Sequence, residues 1–299
     1  MIHLAGLTYW QDILHNRPSY LDRFLRTAYD DPEARKNNLF FDVLSVHVFQ
    51  NTDSVWYLTQ LYKRLANSVG FSKPVWIDEI NALVNSDGDW PVSSGYRSVS
   101  LDQQASFIIQ GSALALAAGA ERVEVYRLFD DAVKPGYEAW GLVRADGTRR
   151  PGYYALRTAS EYFRNSVKVE RFKNNFATMV VFTQPERTVY VIWNRTQRTP
   201  VYAHIPISKD SDSGSELRIV SQTGYERTMS SDLASSPSSD RVSKGGFELI
   251  LPPCISGCDI QGEPRILVQS GAPQPITILS DIGQILPLNN ASLTATVQP

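Results

Sequence analysis

Cysteine is scarce in this 299-residue chain: Cys254 and Cys258 are the only two, with three residues between them around Gly257. That pair leaves three readings open, a small disulfide in an oxidising compartment, two free thiols, or part of a metal site. A metal site would need further ligands, and the four histidines, His3, His15, His47 and His204, are scattered without paired spacing, so no metal is expected. Excess charge is absent too. The formal net charge of −2 leaves no electrostatic footprint for nucleic acid or an anionic membrane. The longest apolar run, 111–120, is too short to cross a bilayer and is Ala-rich, as a packing helix would be. No basic and then apolar leader opens the chain, so a secretion signal, if there is one, is expected upstream of Met1. No internal repeat is evident.

What is present is concentrated in Lys73-Pro74-Val75-Trp76-Ile77-Asp78-Glu79-Ile80-Asn81. A Pro at the start, a branched and aromatic run, then two acids and an Asn suit a strand buried on both faces that ends in a polar pocket. The run 41–49 is a second strand candidate with His47 near its tip. The run 121–129 is a third, followed by Asp130 and Asp131, and the opening stretch 2–9 is a fourth. Helical patterns lie between them. One covers 19–29, behind Pro18 and capped by Ser19. Another, 55–69, has Val55, Leu58, Leu61, Tyr62 and Leu65 on one face, and a third, 102–118, closes at Gly119. Strands alternating with helices imply a parallel sheet with crossover connections.

Three segments carry a resemblance. They are Ser45-Val46-His47, Lys73-Pro74-Val75-Trp76-Ile77-Asp78-Glu79, and Gly141-Leu142-Val143-Arg144-Ala145-Asp146-Gly147-Thr148-Arg149-Arg150-Pro151-Gly152-Tyr153-Tyr154-Ala155-Leu156. In this order and spacing they resemble the C-terminal half of the clan A glycoside hydrolases, the cellulase-like and xylosidase-like (β/α)8 barrels. The resemblance covers about residues 1–165. It implies an α/β fold holding about the last four strand–helix units of a barrel, with active-site residues at the C-terminal strand ends. It also implies Glu79 as the nucleophile of a retaining hydrolase of O-glycosyl bonds in oligo- or polysaccharides, needing no cofactor. One feature of the family is missing: its acid/base Glu sits in an Asn-Glu pair, and that dipeptide occurs nowhere here. Retaining chemistry places two carboxyl groups about 5 Å apart, so the resemblance implies a truncated form whose partner would be the N-terminal half-barrel. Asp130, Asp131 and Glu138 are the acids that could substitute, or could simply be solvated or N-capping.

From about Asn165 the text turns to β. The runs 177–183 and 188–194, split by Gln184-Pro185-Glu186-Arg187, read as a hairpin, with more strands at 200–207, 216–221, 246–251 and 265–269. Short strands at this spacing suggest a β-sandwich. The expected domains are therefore a half-barrel at 1–165, a sandwich at 166–270, and a tail or linker at 271–299. The Ser-rich stretch 229–243 reads as a long loop. Asn194-Arg195-Thr196 and Asn290-Ala291-Ser292 are glycosylation triplets of a kind common by chance.

A sugar pocket needs aromatic faces and polar groups that read hydroxyls. Trp10, Trp90 and Trp140 sit where barrel loops would place platforms, or they pack. Trp76, inside a strand, reads as core. His47 could bond to the nucleophile or a substrate hydroxyl. Asn81 and Tyr126 are further candidates, while Asp78, alternating away from Glu79, should face the helices. The expected partner is a carbohydrate and the expected location extracellular. The alternative is a non-catalytic carbohydrate-binding protein or inactive remnant, whose sugar binding would survive Glu79→Gln. A truncated gene product with no independent role is a third reading.

Overall fold

Three of the expected strands pair as β1 (Leu44–Phe49), β2 (Val75–Asn81) and β3 (Arg122–Val125), a parallel sheet in that order. The computed structural model describes residues 1–7, 9–90, 99–130, 138–206, 216–230, 240–243, 245–255 and 257–290. Within them the chain has a mixed α/β fold with several sheets, divided into two units, Met1–Arg150 and Pro151–Pro299.

The helices are α1 (Tyr9–Leu14), α2 (Tyr20–Asp30), α3 (Pro32–Lys36), α4 (Thr52–Ser68), α5 (Leu101–Ala117) and α6 (Pro151–Tyr162). Ser19 caps α2 by accepting from the Asp22 N–H, and Asn51 caps α4 by accepting from that of Ser54. Helix α4 buries Val55, Leu58, Tyr62 and Ala66, a spacing of three and four that makes one apolar stripe. Helix α5 opens with a reciprocal capping box between Ser100 and Gln103 and buries every residue from Gln104 to Ala115, so it is covered on all sides. A Cβ at Gly111 would lie 2.4 Å from Ile80 Cδ1, so a larger residue there would have to push that methyl aside.

The first unit departs from expectation at three places. The opening stretch is not a strand. It follows β1 only through isolated parallel bridges, His3 to Val43 and Leu7 to Val46, and Thr8 lies outside the described residues. Strand β3 ends at Val125, and Phe129 makes only a single bridge, to Val143. Helix α6 groups with the second unit, although the sequence reading put it at the end of the first. Among the described residues, no helix is long and apolar enough to cross a membrane.

The second unit carries β4 (Lys168–Lys173), β5 (Ala177–Thr183), β6 (Arg187–Asn194), β7 (Val201–Pro206), β8 (Glu216–Val220), β9 (Glu226–Ser230), β10 (Arg241–Ser243), β11 (Gly246–Leu251), β12 (Arg265–Ser270), β13 (Thr277–Leu279), β14 (Ile285–Leu286) and β15 (Asn289–Asn290). They form two antiparallel sheets, ordered β15-β4-β5-β6-β12-β8-β9 and β10-β11-β7-β13-β14. Alternate side chains from both sheets, among them Met179, Val181, Ile192 and Leu267 from one and Ala203, Ile205, Leu249 and Ile278 from the other, share one apolar core. The 271–299 stretch differs from the expected linker. Ile276, Ile278 and Leu286 enter that core, so apolar alternation outweighs the Pro, Thr and Ser residues that suggested a loose tail. Residues 291–299 lie outside the described residues, as do 231–239 of the expected loop, whose ends belong to β9 and β10.

Cys254 and Cys258 are joined in a disulfide, with Cα atoms 5.4 Å apart. Asn194 of the first glycosylation triplet is fully buried. Its Nδ2 donates to the Thr199 and Leu251 carbonyls and its Oδ1 accepts from Thr196, so the folded chain offers it to no modifying enzyme. The second triplet extends beyond the described residues.

Candidate active site

Strand alternation would put Asp78 and Glu79 on opposite faces of β2. The register shows otherwise. Val46 pairs with Ile77 but the next residue, His47, pairs with Glu79, so β2 carries one extra residue, Asp78, in a bulge. Both carboxylates then flank one ring: Glu79 Oε2 is 3.2 Å from His47 Nδ1, and Asp78 Oδ2 is 3.5 Å from Nε2. The expectation that Asp78 faces the helices is thus corrected; Ile80 does so instead, against Gly111 and Val55. The ring also lies against the chain's first residues. A Cβ at Gly6 would fall 1.9 Å from His47 Nε2, so Gly6 is the residue that leaves room for it. The Tyr62 hydroxyl donates to the Leu7 carbonyl (2.9 Å), tying this segment to α4, and burial pushes that phenol well above its usual range.

Two register steps further, Phe49 pairs with Asn81. The Trp140 ring lies 5.0 Å from Phe49 and 6.2 Å from Tyr126, both edge-on, and its Nε1 donates to Glu138 (2.7 Å). These rings cluster at the strand ends beyond His47 and Glu79, with Tyr126 exposed and Trp140 half-buried. Trp10 is exposed and stacks on Tyr57, 5.9 Å between ring centres, beside Tyr9. Burial, then the hydrogen bond with Tyr57, pushes the Tyr9 phenol up to about 12.

Two candidates are occupied by structure. Asn81 is fully buried. Its Nδ2 donates to the Tyr126 and Trp140 carbonyls, while its Oδ1 accepts from the Ala82 N–H and from Gln104, so the amide has no capacity left for a sugar. Trp90 is buried with Val84 and Ala139, a packing residue rather than a platform. Trp76 is core, between the His3 ring at 4.5 Å and the Arg122 guanidinium at 4.2 Å.

The acids weighed as substitutes separate. Asp130 is buried, accepting from Arg150 Nη1 and the Gly141 N–H. Asp131 lies outside the described residues, and exposed Glu138 serves Trp140. The third motif segment is framework. Asp146 and Gly147, with φ +87°, make its turn, and Arg144 and Arg150 converge on buried Asp87. A Cβ at Gly141 would meet the Asp130 backbone at 2.5 Å. Lys73 is framework too. Its Nζ donates to the Asn38 and Phe41 carbonyls, both at 2.6 Å, closing a turn in which Asn38, Leu39 and Phe40 all have positive φ. Among the described residues, no three His, Cys, Asp or Glu side chains are grouped to hold a metal ion.

Sequence reasoning missed the parts played by Asp78, Gly6 and Phe49. The available signal was two consecutive acids at a strand tip opposite a histidine.

No family model matches the chain, and no curated protein does. Solved structures do. A family 39 glycoside hydrolase from the gut symbiont Bacteroides cellulosilyticus WH2 matches over 79% of this chain with a TM-score of 0.54 and 19% identity. A family 51 alpha-L-arabinofuranosidase from Bifidobacterium longum matches over 84% with a TM-score of 0.50 and 11% identity. The chain spans about half the length of these proteins, 46% of the first and 56% of the second. At such identities the likeness is one of fold: the mixed α/β architecture of this chain is glycosidase-like.

Proposed function

We propose that this chain is the nucleophile-bearing part of a retaining glycoside hydrolase acting on O-glycosyl bonds of oligo- or polysaccharides. In this reading β1 to β3 and their helices belong to a (β/α)8 barrel, and the two antiparallel sheets are an appended β-sandwich. The observation that carries the reading is Glu79 at the C-terminal end of a parallel strand, its Oε2 on His47 and the Phe49, Tyr126 and Trp140 rings just beyond.

Glu79 would attack the anomeric carbon while the bond to the leaving oxygen breaks. Water would then cleave the glycosyl ester, and the two inversions give net retention. Protonating the leaving oxygen needs a second carboxyl group. With Asp130 locked by Arg150 and no Asn-Glu pair in the sequence, that acid would come from strand–helix units beyond those this chain contains. Coverage of about half of each similar structure is consistent with this. The disulfide suits an extracellular setting.

A dinitrophenyl glycoside tests the reading on this chain, because its leaving group departs without protonation. Across a panel of sugars, at least one should be hydrolysed with the first-formed anomer retained. Glu79→Gln should lower that rate by about a thousandfold or more. Sugar binding that survives Glu79→Gln, with no turnover of any substrate, would make the chain a binding protein instead.

A further inference from the structure

Asp78 takes no part in the chemistry above, yet its Oδ2 lies 3.5 Å from His47 Nε2. The bulge between Ile77 and Glu79 exists only in β2, and its effect is to turn Asp78 back toward the ring that Glu79 also touches. Bulges near active sites re-aim a side chain, and this one brings a second carboxylate to one imidazole. The arrangement is not explained by stability. Asp78 Oδ1 is buried with no hydrogen-bond partner among the described residues, and an unsatisfied buried acceptor is destabilising.

We propose that Asp78 is a positioning residue for Glu79, acting through His47; the inference rests on the assignment of Glu79 as nucleophile. Carboxylates only accept, so a ring that bonds one on each side does so as the imidazolium, with an N–H on each nitrogen. Asp78 accepts from the Nε2–H. That fixes the ring's orientation and turns the Nδ1–H to Glu79 Oε2, 3.2 Å away, with Glu79 left ionised. Glu79 is then held by one oxygen, and the other is left to attack. Gly6 completes the device, since any side chain there would displace the ring from between the two acids. His47 moves no proton to substrate in this scheme, so the loss on removing Asp78 is that of an orienting partner, about 10–100-fold.

The test uses the full chain with ¹⁵N-labelled histidine and compares wild type with Asp78→Asn, which keeps the shape of the side chain. In the wild type, NMR should find a hydrogen on His47 Nε2. In Asp78→Asn that signature should change, and kcat on the dinitrophenyl glycoside should fall about 10–100-fold with KM nearly unchanged. Circular dichroism checks the fold, and Asp78→Ala serves where the amide variant misfolds. An unchanged His47 signature in a folded variant overturns the inference whether or not the chain turns over sugars. So does a changed signature with unchanged kcat. A changed signature in a chain whose wild type cleaves nothing supports the Asp78–His47 contact and overturns the nucleophile reading alone.

Discussion

The first unit contains two clusters of charged side chains that are opposites in structure. Around Asp87, two guanidinium groups meet two buried carboxylates, with exposed Asp89 3.3 Å from Arg144 at the rim. Arg144 binds Asp87 through Nε and Nη2 (2.9 and 3.0 Å), and Arg150 bridges Asp87 and Asp130 (2.8 and 2.6 Å), with Arg150 and Asp87 side chains both 0% exposed. Around His47, two carboxylates meet one imidazole, and the exposures are 22% for His47, 25% for Asp78 and 31% for Glu79. The closed cluster balances its charge and ties together the loops after β2 and β3. The open one is short of donors and reachable by solvent. Removing charges from water is offset only when they are paired and bonded, which the first cluster achieves and the second does not. A surplus of acceptors at a strand tip is what a nucleophile needs and what a scaffold avoids.

The largest test of this contrast is Arg150→Ala. It strands Asp87 and Asp130 in the interior, and the cost should be about 3–5 kcal/mol, read by denaturant unfolding. His47→Gln should cost far less. Equal losses would erase the distinction between framework and site.

A smaller effect concerns acid. Burial works to raise the Asp87 carboxyl, but the hydrogen bonds from Arg144 and Arg150, with the Asp89 N–H, outweigh it and hold the group below its ordinary value. The unfolded chain therefore takes up this proton first as pH falls. The stabilisation is fully present above about pH 4 and is lost as pH drops toward the folded-state value. Over that interval the wild type should lose stability by up to about 1.4 kcal/mol per pH unit more steeply than Asp87→Asn. Parallel curves from urea titrations at several acidic pH values would assign the acid sensitivity elsewhere.

A last contrast separates two tryptophans. Trp140→Ala should weaken sugar binding by about 1–2 kcal/mol, measured by calorimetry, with modest loss of stability. Trp90→Ala should do the reverse, emptying a core position at about 3–5 kcal/mol. Matching profiles for the two variants would undo their assignment to site and core.

How far the sequence revealed this depended on range. Ser19 and Gly119 marked helix ends through bonds and φ angles set by near neighbours, and the strand that carries Glu79 was legible because a branched and aromatic run marks it. Asn81, Trp90 and Arg150 were not, because their partners lie far along the chain: Arg150 meets Asp87 across 63 residues, and Asn81 meets Trp140 across 59. Asp78 was misread for another reason. Strict alternation was assumed, and a bulge is invisible in the residues that form it. Strands β13 and β14 were missed because Pro275 and Ser280 suggested a linker, while Ile276, Ile278 and Leu286 pay the folding cost by entering the core.

The most direct measurement is covalent trapping. The full chain is incubated with fluorinated sugars bearing a dinitrophenyl leaving group, chosen from the panel that it hydrolyses, then weighed intact and mapped by peptide mass spectrometry. The account predicts one added fluorosugar on the peptide carrying Glu79, and none in Glu79→Gln. An adduct on a different carboxylate, or none with any sugar, would contradict it.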